Sequence, residues 1–150
     1  MITNRKIFLI MLITAIMSLT ACTGGNGSAP PDLTLSVGGE TYTATQSSYC
    51  WGGLCADGIY PPVIETFVPL AGDGQITLTF DNPEPDNVFM GLDLYSTFPD
   101  AESVATTRLD NLPDIIMWTP TVPAGDYILS ISAKWDKGQD AAYHIGVTIP

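Results

Sequence analysis

Hydrophobic and polar residues alternate over most of the chain from residue 32 onward, as in strands that bury one face. The alternation is strict in residues 75–80, QITLTF, and similar runs cover residues 33–37, 88–95, 127–135 and 143–149. No segment beyond Cys22 shows the 3.6-residue period of an amphipathic helix for more than one turn. The pattern therefore predicts an all-β domain.

The same alternation predicts which side chains face the core, because neighbouring residues of a strand point to opposite faces of the sheet. The inward series are predicted to begin at Ile76, Val88, Tyr127 and Tyr143. Their polar neighbours are expected on the solvent side or outer face of the sheet, among them Thr77, Ser130, Lys134 and His144. His144 is interpreted as a solvated residue of the last strand.

Segments rich in Gly, Pro, Asp and Asn separate the apolar runs and predict turns. Gly38-Gly39 joins two short runs and predicts a hairpin, and further turns are expected at residues 71–74, 81–87, 122–126 and 135–142. Many short strands with frequent turns are typical of an antiparallel β-sandwich or barrel. We expect a sandwich of about seven to nine strands in residues 32–150.

The C-terminal run PAGDYILSISAKW, followed by AAYHIGVTI, resembles the closing hairpin of immunoglobulin-like and related sandwich modules in bacterial surface proteins. A Gly-x-Tyr step typically enters the penultimate strand of those modules, as Gly125-Asp126-Tyr127 does here. The resemblance covers about 30 residues. It implies an immunoglobulin-like β-sandwich and no particular function.

The first 21 residues have the pattern of a bacterial export signal. A short cationic stretch, MITNRK, precedes an apolar run from Ile7 to Met17 that is interrupted only by Thr14. This run is about half as long as the roughly 20 residues that a membrane-spanning helix needs. Its length suits the apolar centre of a signal peptide.

Leu19-Thr20-Ala21-Cys22 resembles the lipobox of bacterial lipoproteins, in which a small residue precedes the cysteine that is lipidated before cleavage. The resemblance implies that residues 1–21 are removed and that Cys22 carries a diacylglycerol and a palmitate-type acyl chain. The protein would then be anchored, on the extracytoplasmic side, to the cell membrane or the outer membrane. The alternatives are an uncleaved anchor and an ordinary secretory signal followed by a chance cysteine.

Residues 22–31, CTGGNGSAPP, have no apolar periodicity and predict a flexible tether between the lipid and the domain. A chain of this composition spans roughly 15–18 Å root-mean-square. The domain is therefore expected to lie close to the membrane surface without penetrating it.

The charge balance excludes two kinds of partner. The chain has 16 acidic and 5 basic residues, and only Arg108, Lys134 and Lys137 of the basic residues follow Cys22, which leaves a net charge of −13 on that part. Binding of nucleic acid, or of anionic lipid through a basic patch, requires clustered Lys and Arg residues. The sequence predicts neither interaction.

Cys50 and Cys55 remain once Cys22 is lipidated, an even number in an oxidising compartment. Gly52 and Gly53 allow the chain to reverse between them, which predicts a structural disulfide that contributes about 2 kcal/mol. Redox or metal use is the alternative, but thioredoxin-type motifs have two intervening residues and zinc sites need four ligands. The segment is also similar to a Tyr-Cys-Trp segment of small bacterial lipoproteins, which implies no activity.

The tryptophans are candidates for ligand binding and also for the core. Trp51 could pack over the disulfide, or it could form an exposed recognition surface with Tyr49 or Tyr60. Trp118 and Trp135 could stack on a sugar or a partner, or pack in the core or at its rim. The candidate ligand-binding residues are Trp51, Tyr60, Trp118 and Trp135.

The sequence has no motif for catalysis, and we predict no catalytic residues, no cofactor and no metal ligands. His144 is the single histidine. The acidic loop 81–87 could be an exposed turn, or its oxygen atoms could hold calcium. Hydrolysis by a pair of carboxylates is left open by the 16 acidic residues.

Two functions from different classes remain. The first is a non-catalytic binding or interaction module of the cell envelope, with an envelope protein or a carbohydrate as its ligand. The second is the catalytic domain or an accessory subunit of an envelope hydrolase. A cleft in which carboxylates converge, or in which His144 meets a serine, would favour the enzyme.

Overall fold

The computed structural model describes residues 29–59, 61–70, 75–98, 103–111, 113, 116–118 and 121–150. These residues form eleven strands and two short 3₁₀ turns. No helix within them is long and apolar enough to cross a membrane. The predicted signal peptide, Cys22, most of the tether and Tyr60 lie outside the described residues.

The strands form two sheets packed face to face. The smaller sheet has the order β2 (Glu40–Thr43), β1 (Leu33–Val37), β6 (Gln75–Phe80) and β9 (Ile116–Met117). The larger sheet has the order β4 (Leu54–Ala56), β3 (Thr45–Trp51), β11 (Gln139–Ile149), β10 (Gly125–Trp135), β7 (Asn87–Leu94) and β8 (Ala105–Leu109). A further short strand, β5 (Phe67–Pro69), pairs in parallel with β11. The prediction of an all-β sandwich is confirmed.

The strand number exceeds the expected seven to nine because several strands carry no apolar alternation. The three shortest, β4, β5 and β9, are only two or three residues long. The sequences of β3 and β8, TQSSYCW and ATTRL, consist mostly of polar or small residues. These residues form strands because they pair with neighbouring strands that have a clear apolar alternation. The pattern within a single strand cannot reveal such pairing.

The inward faces of both sheets share one apolar core, and the predicted inward series lie in it. Ile76, Val88, Tyr127 and Tyr143 are all at most 2% exposed. The buried Tyr143 hydroxyl donates a hydrogen bond of 2.6 Å to the Pro31 carbonyl oxygen. Burial, reinforced by the Asp32 carboxylate, raises the pKa of Tyr143 above its usual range.

The closing hairpin forms the centre of the larger sheet. Residues of β10 and β11 pair without interruption from Gly125↔Ile149 to Trp135↔Gln139. β11 has β10 on one side and β3 and β5 in succession on the other. An immunoglobulin constant domain instead has its last strand at the edge of a three-stranded sheet.

Cys50 and Cys55 form the predicted disulfide, directly opposite each other on β3 and β4. Gly52 and Gly53 make the turn with φ of 58° and 84°, a region that favours glycine. Trp51 points to the opposite face, where its ring packs edge-on against Trp135 at 5.0 Å in the core. The interpretation of Trp51 as an exposed recognition residue is therefore wrong.

Candidate ligand cavity at the edge of the last strand

One edge of β11 has a break in its pairing. β3 pairs with it as far as His144↔Thr45, and β5 begins at Gly146↔Phe67. Between them, Ile145 has no partner on this edge among the described strands. A cavity of about 530 Å³ lies at the break. Its volume is within the range of roughly 300–1,000 Å³ that is usual for small-molecule sites.

Apolar and polar residues both line the cavity. Val68 and Ile145 are buried apolar residues of the lining, and Val63 is an exposed one. Thr43, Thr45 and Glu65 are exposed and line its opening. An apolar surface with a few polar groups is the usual composition of a ligand site.

Gly146 allows residues 64–66 to form one wall of the cavity. A Cβ atom at Gly146 would overlap Ile64 Cγ2 and lie 2.9 Å from the Thr66 carbonyl oxygen. Only glycine accommodates so close a crossing of one chain segment over another. The wall therefore depends on the absence of a side chain at this position of β11.

His144 also lines the cavity, and the expectation that it is solvated is wrong. Its side chain lies on the outer face of the larger sheet, as the alternation predicted, but only 7% of the residue is exposed. The chain after β7 forms a 3₁₀ turn at Tyr95–Thr97 and folds over this face. It places the Phe98 ring edge-on against the imidazole, with the ring centroids 5.9 Å apart.

A chain of hydrogen bonds under this segment fixes the protonation of the His144 ring. Asp93 accepts one bond from Ser103 Oγ at 2.6 Å and another from Ser130 Oγ at 2.8 Å. Ser130 Oγ also lies 3.2 Å from His144 Nδ1. The single Ser130 hydroxyl proton is donated to Asp93. The hydrogen bond between Ser130 Oγ and His144 therefore uses a proton on Nδ1. The other nitrogen, Nε2, is then a hydrogen-bond acceptor when the ring is neutral.

Burial lowers the pKa of His144, and the nearby Asp93 carboxylate opposes this effect without cancelling it. Desolvation disfavours the charged imidazolium, so the neutral ring is the form present at neutral pH. The acceptor at Nε2 is therefore available under ordinary conditions.

We expect acid to destabilise the fold through His144. Below about pH 6.5, the unfolded histidine binds a proton that the folded one, with its lowered pKa, does not. The contribution of the neutral His144 ring to the free energy of unfolding should be fully present above pH 6.5. The free energy of unfolding should then fall, by at most about 1.4 kcal/mol per pH unit, as the pH drops towards 5. Urea unfolding at several pH values measures this slope.

The matched variant is His144→Gln, which cannot titrate and should have a flatter pH dependence between pH 7 and 5. An equal slope in the variant would assign the acid sensitivity to other groups.

His144 and a serine do converge, which is the feature expected of a hydrolase, but their order is not that of a catalytic triad. In a Ser-His-Asp centre the histidine lies between the other two residues and takes the serine proton. Here Ser130 lies between Asp93 and His144, and its proton is held by Asp93. The hydroxyl is therefore not prepared as a nucleophile.

None of the predicted ligand-binding tryptophans lines the cavity. Trp135 is buried against Trp51, and its Nε1 donates a 2.8 Å hydrogen bond to the Pro83 carbonyl oxygen. Trp118 is half-buried and packs against the core. The rings of Trp51 and Trp135 have no face free for a ligand. The fourth candidate, Tyr60, lies outside the described residues.

The acidic loop 81–87 is fastened to the domain by backbone hydrogen bonds. Asp81 N donates to the Asp32 carbonyl oxygen at 3.0 Å, and Asp86 N donates to that of Lys134 at 2.8 Å. In the described part of the chain, no three His, Cys, Asp or Glu residues are grouped as a metal site. The geometry supports a turn between strands.

The chain matches no known protein family, and no curated protein or solved structure was found to be similar to it. The function has to follow from the geometry of the domain itself. Among the described residues, the β-sandwich has a cavity lined by a histidine whose ring is held by a hydrogen bond. It also has a hairpin closed by a disulfide.

Proposed function

We propose that the protein is a membrane-anchored extracytoplasmic lipoprotein whose β-sandwich is a non-catalytic binding module. The observation that carries the binding function is the cavity at the break in β11 pairing. It has the volume and the mixed apolar and polar lining of a small-molecule site. His144 adds one buried acceptor whose orientation is set by Ser130 and Asp93.

The contact between His144 and Ser130 is the one observation that favours the second candidate, a catalytic domain or accessory subunit of an envelope hydrolase. The Ser130 hydroxyl donates its proton to a hydrogen bond with Asp93, and this argues against the hydrolase. Ester hydrolysis measured with p-nitrophenyl acetate separates the two functions. Turnover that disappears in Ser130→Ala would support the hydrolase, whereas no turnover above the background rate would support the binding module.

Replacing Cys22 by serine is expected to abolish incorporation of labelled palmitate and to release the protein from the membrane fraction or leave it unprocessed. The cysteine thiol is the group that is lipidated, and a serine hydroxyl does not replace it in this reaction. Labelling of whole cells and detergent phase partitioning measure the two effects.

The control for the Cys22 experiment is Cys50→Ser, which removes a different cysteine and should keep the label. Continued palmitate incorporation in Cys22→Ser would contradict the lipoprotein proposal.

A further inference from the structure

The residues that line the cavity favour a ligand rich in hydroxyl groups. Four of them carry hydroxyls themselves: Tyr42, Thr43, Thr45 and Thr66. A hydroxyl both donates and accepts hydrogen bonds, so it pairs with another hydroxyl in either direction. Such a lining suits a ligand whose polar groups are uncharged and numerous.

Positive charge is missing from this lining. Among the described residues, no Lys or Arg borders the cavity, and Glu65 places a carboxylate at its opening. The three basic residues after Cys22 lie elsewhere. Arg108 of β8 pairs with Asp110 at 2.9 Å, Lys134 of β10 lies opposite Asp140 of β11, and Lys137 is in the turn between these two strands. A phosphate or carboxylate would find no partner for its charge in the described lining and would be repelled by Glu65.

His144 supplies the specific polar contact. Its Nδ1 faces Ser130 on the β10 side of β11, and the cavity lies on the other side, next to β3 and β5. Since Nδ1 is engaged with Ser130, Nε2 is the ring nitrogen that remains for a ligand. As an acceptor, Nε2 requires a donor from the ligand, such as a hydroxyl or an amide N–H.

The apolar part of the lining completes the match to a sugar ring. A pyranose presents hydroxyls around its edge and C–H groups on its faces. Val63 and Ile64 offer accessible apolar surface, and Tyr42 is a half-buried aromatic residue with a polar tip. The hydroxyl-bearing and the apolar residues of the lining correspond to these two kinds of surface.

We infer that the cavity binds a neutral carbohydrate, one sugar unit or the end of a short glycan, with His144 Nε2 accepting a hydrogen bond from a sugar hydroxyl or acetamido N–H. This inference rests on the proposed binding function of the same cavity. It identifies the chemical class of the ligand by the hydroxyls, the missing cations and the oriented acceptor.

Saturation-transfer NMR on the full chain in lipid nanodiscs at pH 7.5 tests the inference. The neutral probes are glucose, galactose, mannose and N-acetylglucosamine, and the charged probes with the same ring are glucuronate and glucosamine. At least one neutral sugar should receive saturation and neither charged form should bind better. Thr45→Val and His144→Phe should each weaken that binding about tenfold, the equivalent of one hydrogen bond.

The matched control is Thr106→Val, which removes an exposed threonine hydroxyl on β8, away from the cavity, and should leave binding unchanged. Thr45 is an exposed rim residue, so the Thr45→Val variant tests the site even if His144→Phe perturbs the fold. Circular dichroism identifies a variant that has lost the fold. Binding that is equally strong in wild type and Thr45→Val would overturn the assignment to this cavity.

A second arm distinguishes failure of the ligand class from failure of the binding function. A fragment library of neutral, cationic and anionic compounds is screened in the same way. If a fragment binds in a Thr45-dependent manner while no neutral sugar does, the carbohydrate inference is overturned and the binding function stands. If neither sugars nor fragments bind, both are overturned.

Discussion

Replacing Ile131 by alanine is expected to lower the free energy of unfolding by about 2–5 kcal/mol. Ile131 is 1% exposed, and it lies in the middle of β10 between Met90 of β7 and Tyr143 of β11. The substitution removes buried carbon atoms from the core between the sheets and leaves a cavity that fixed strands cannot close. Urea unfolding measures the loss.

The control for Ile131→Ala is Ser132→Ala, the next residue along β10, which is exposed on the outer face. Its effect should stay within about 0.5 kcal/mol. A shift of β10 by one residue would exchange the two effects, because every side chain would change face. A larger loss in Ser132→Ala than in Ile131→Ala would therefore contradict the register.

The core could be predicted from the sequence because it depends on local alternation. Ile131 and Tyr143 sit in long runs with period two, and the strong pattern of each run specifies its inward face without reference to any partner. The disulfide could be predicted equally well, since Gly52 and Gly53 specify a tight reversal between the two cysteines.

The cavity could not be predicted in this way, because it arises from three segments that are distant in the chain. The break in β11 pairing exists because β3 begins only at Thr45 and β5 begins only at Phe67, and neither strand has a strong pattern of its own. One signal was present: Gly146 is the one glycine of β11, and an isolated glycine in a strand often marks the close approach of another segment.

The predictions for the tryptophans and for the polar residues of the outer face erred in the same direction, because residues of both groups are more buried than expected. Trp51 and Trp135 were candidates for recognition, yet they pack against each other in the core. Alternation alone groups His144 and Ser130 with the exposed Ser132, whereas Phe98 packs against the His144 ring, to which Ser130 is bonded. Period two reports the face of a sheet, and it does not report whether another part of the chain covers that face.

Replacing Asp93 by alanine is expected to lower the free energy of unfolding by about 2–4 kcal/mol. Asp93 is 7% exposed and accepts the hydroxyl protons of Ser103 and Ser130. Without it, the partly buried Ser103 hydroxyl loses its acceptor, which costs about 1–3 kcal/mol. The Ser130 hydroxyl exchanges a charged acceptor for the neutral His144 ring, which costs about 1 kcal/mol more. The control is Asp140→Ala, an exposed carboxylate on β11. It should change stability by less than about 1 kcal/mol.

Asp93→Ala should also reverse the tautomer of His144, an effect that loss of stability alone does not produce. In the wild type, Ser130 donates to Asp93, so Nδ1 of the imidazole keeps its proton and Nε2 accepts. Without Asp93, the Ser130 hydroxyl is free to donate to Nδ1, and the proton moves to Nε2. Nitrogen-15 NMR of the single histidine distinguishes the two tautomers at neutral pH. A wild-type ring protonated at Nε2 would contradict the hydrogen-bond order on which the proposed acceptor depends.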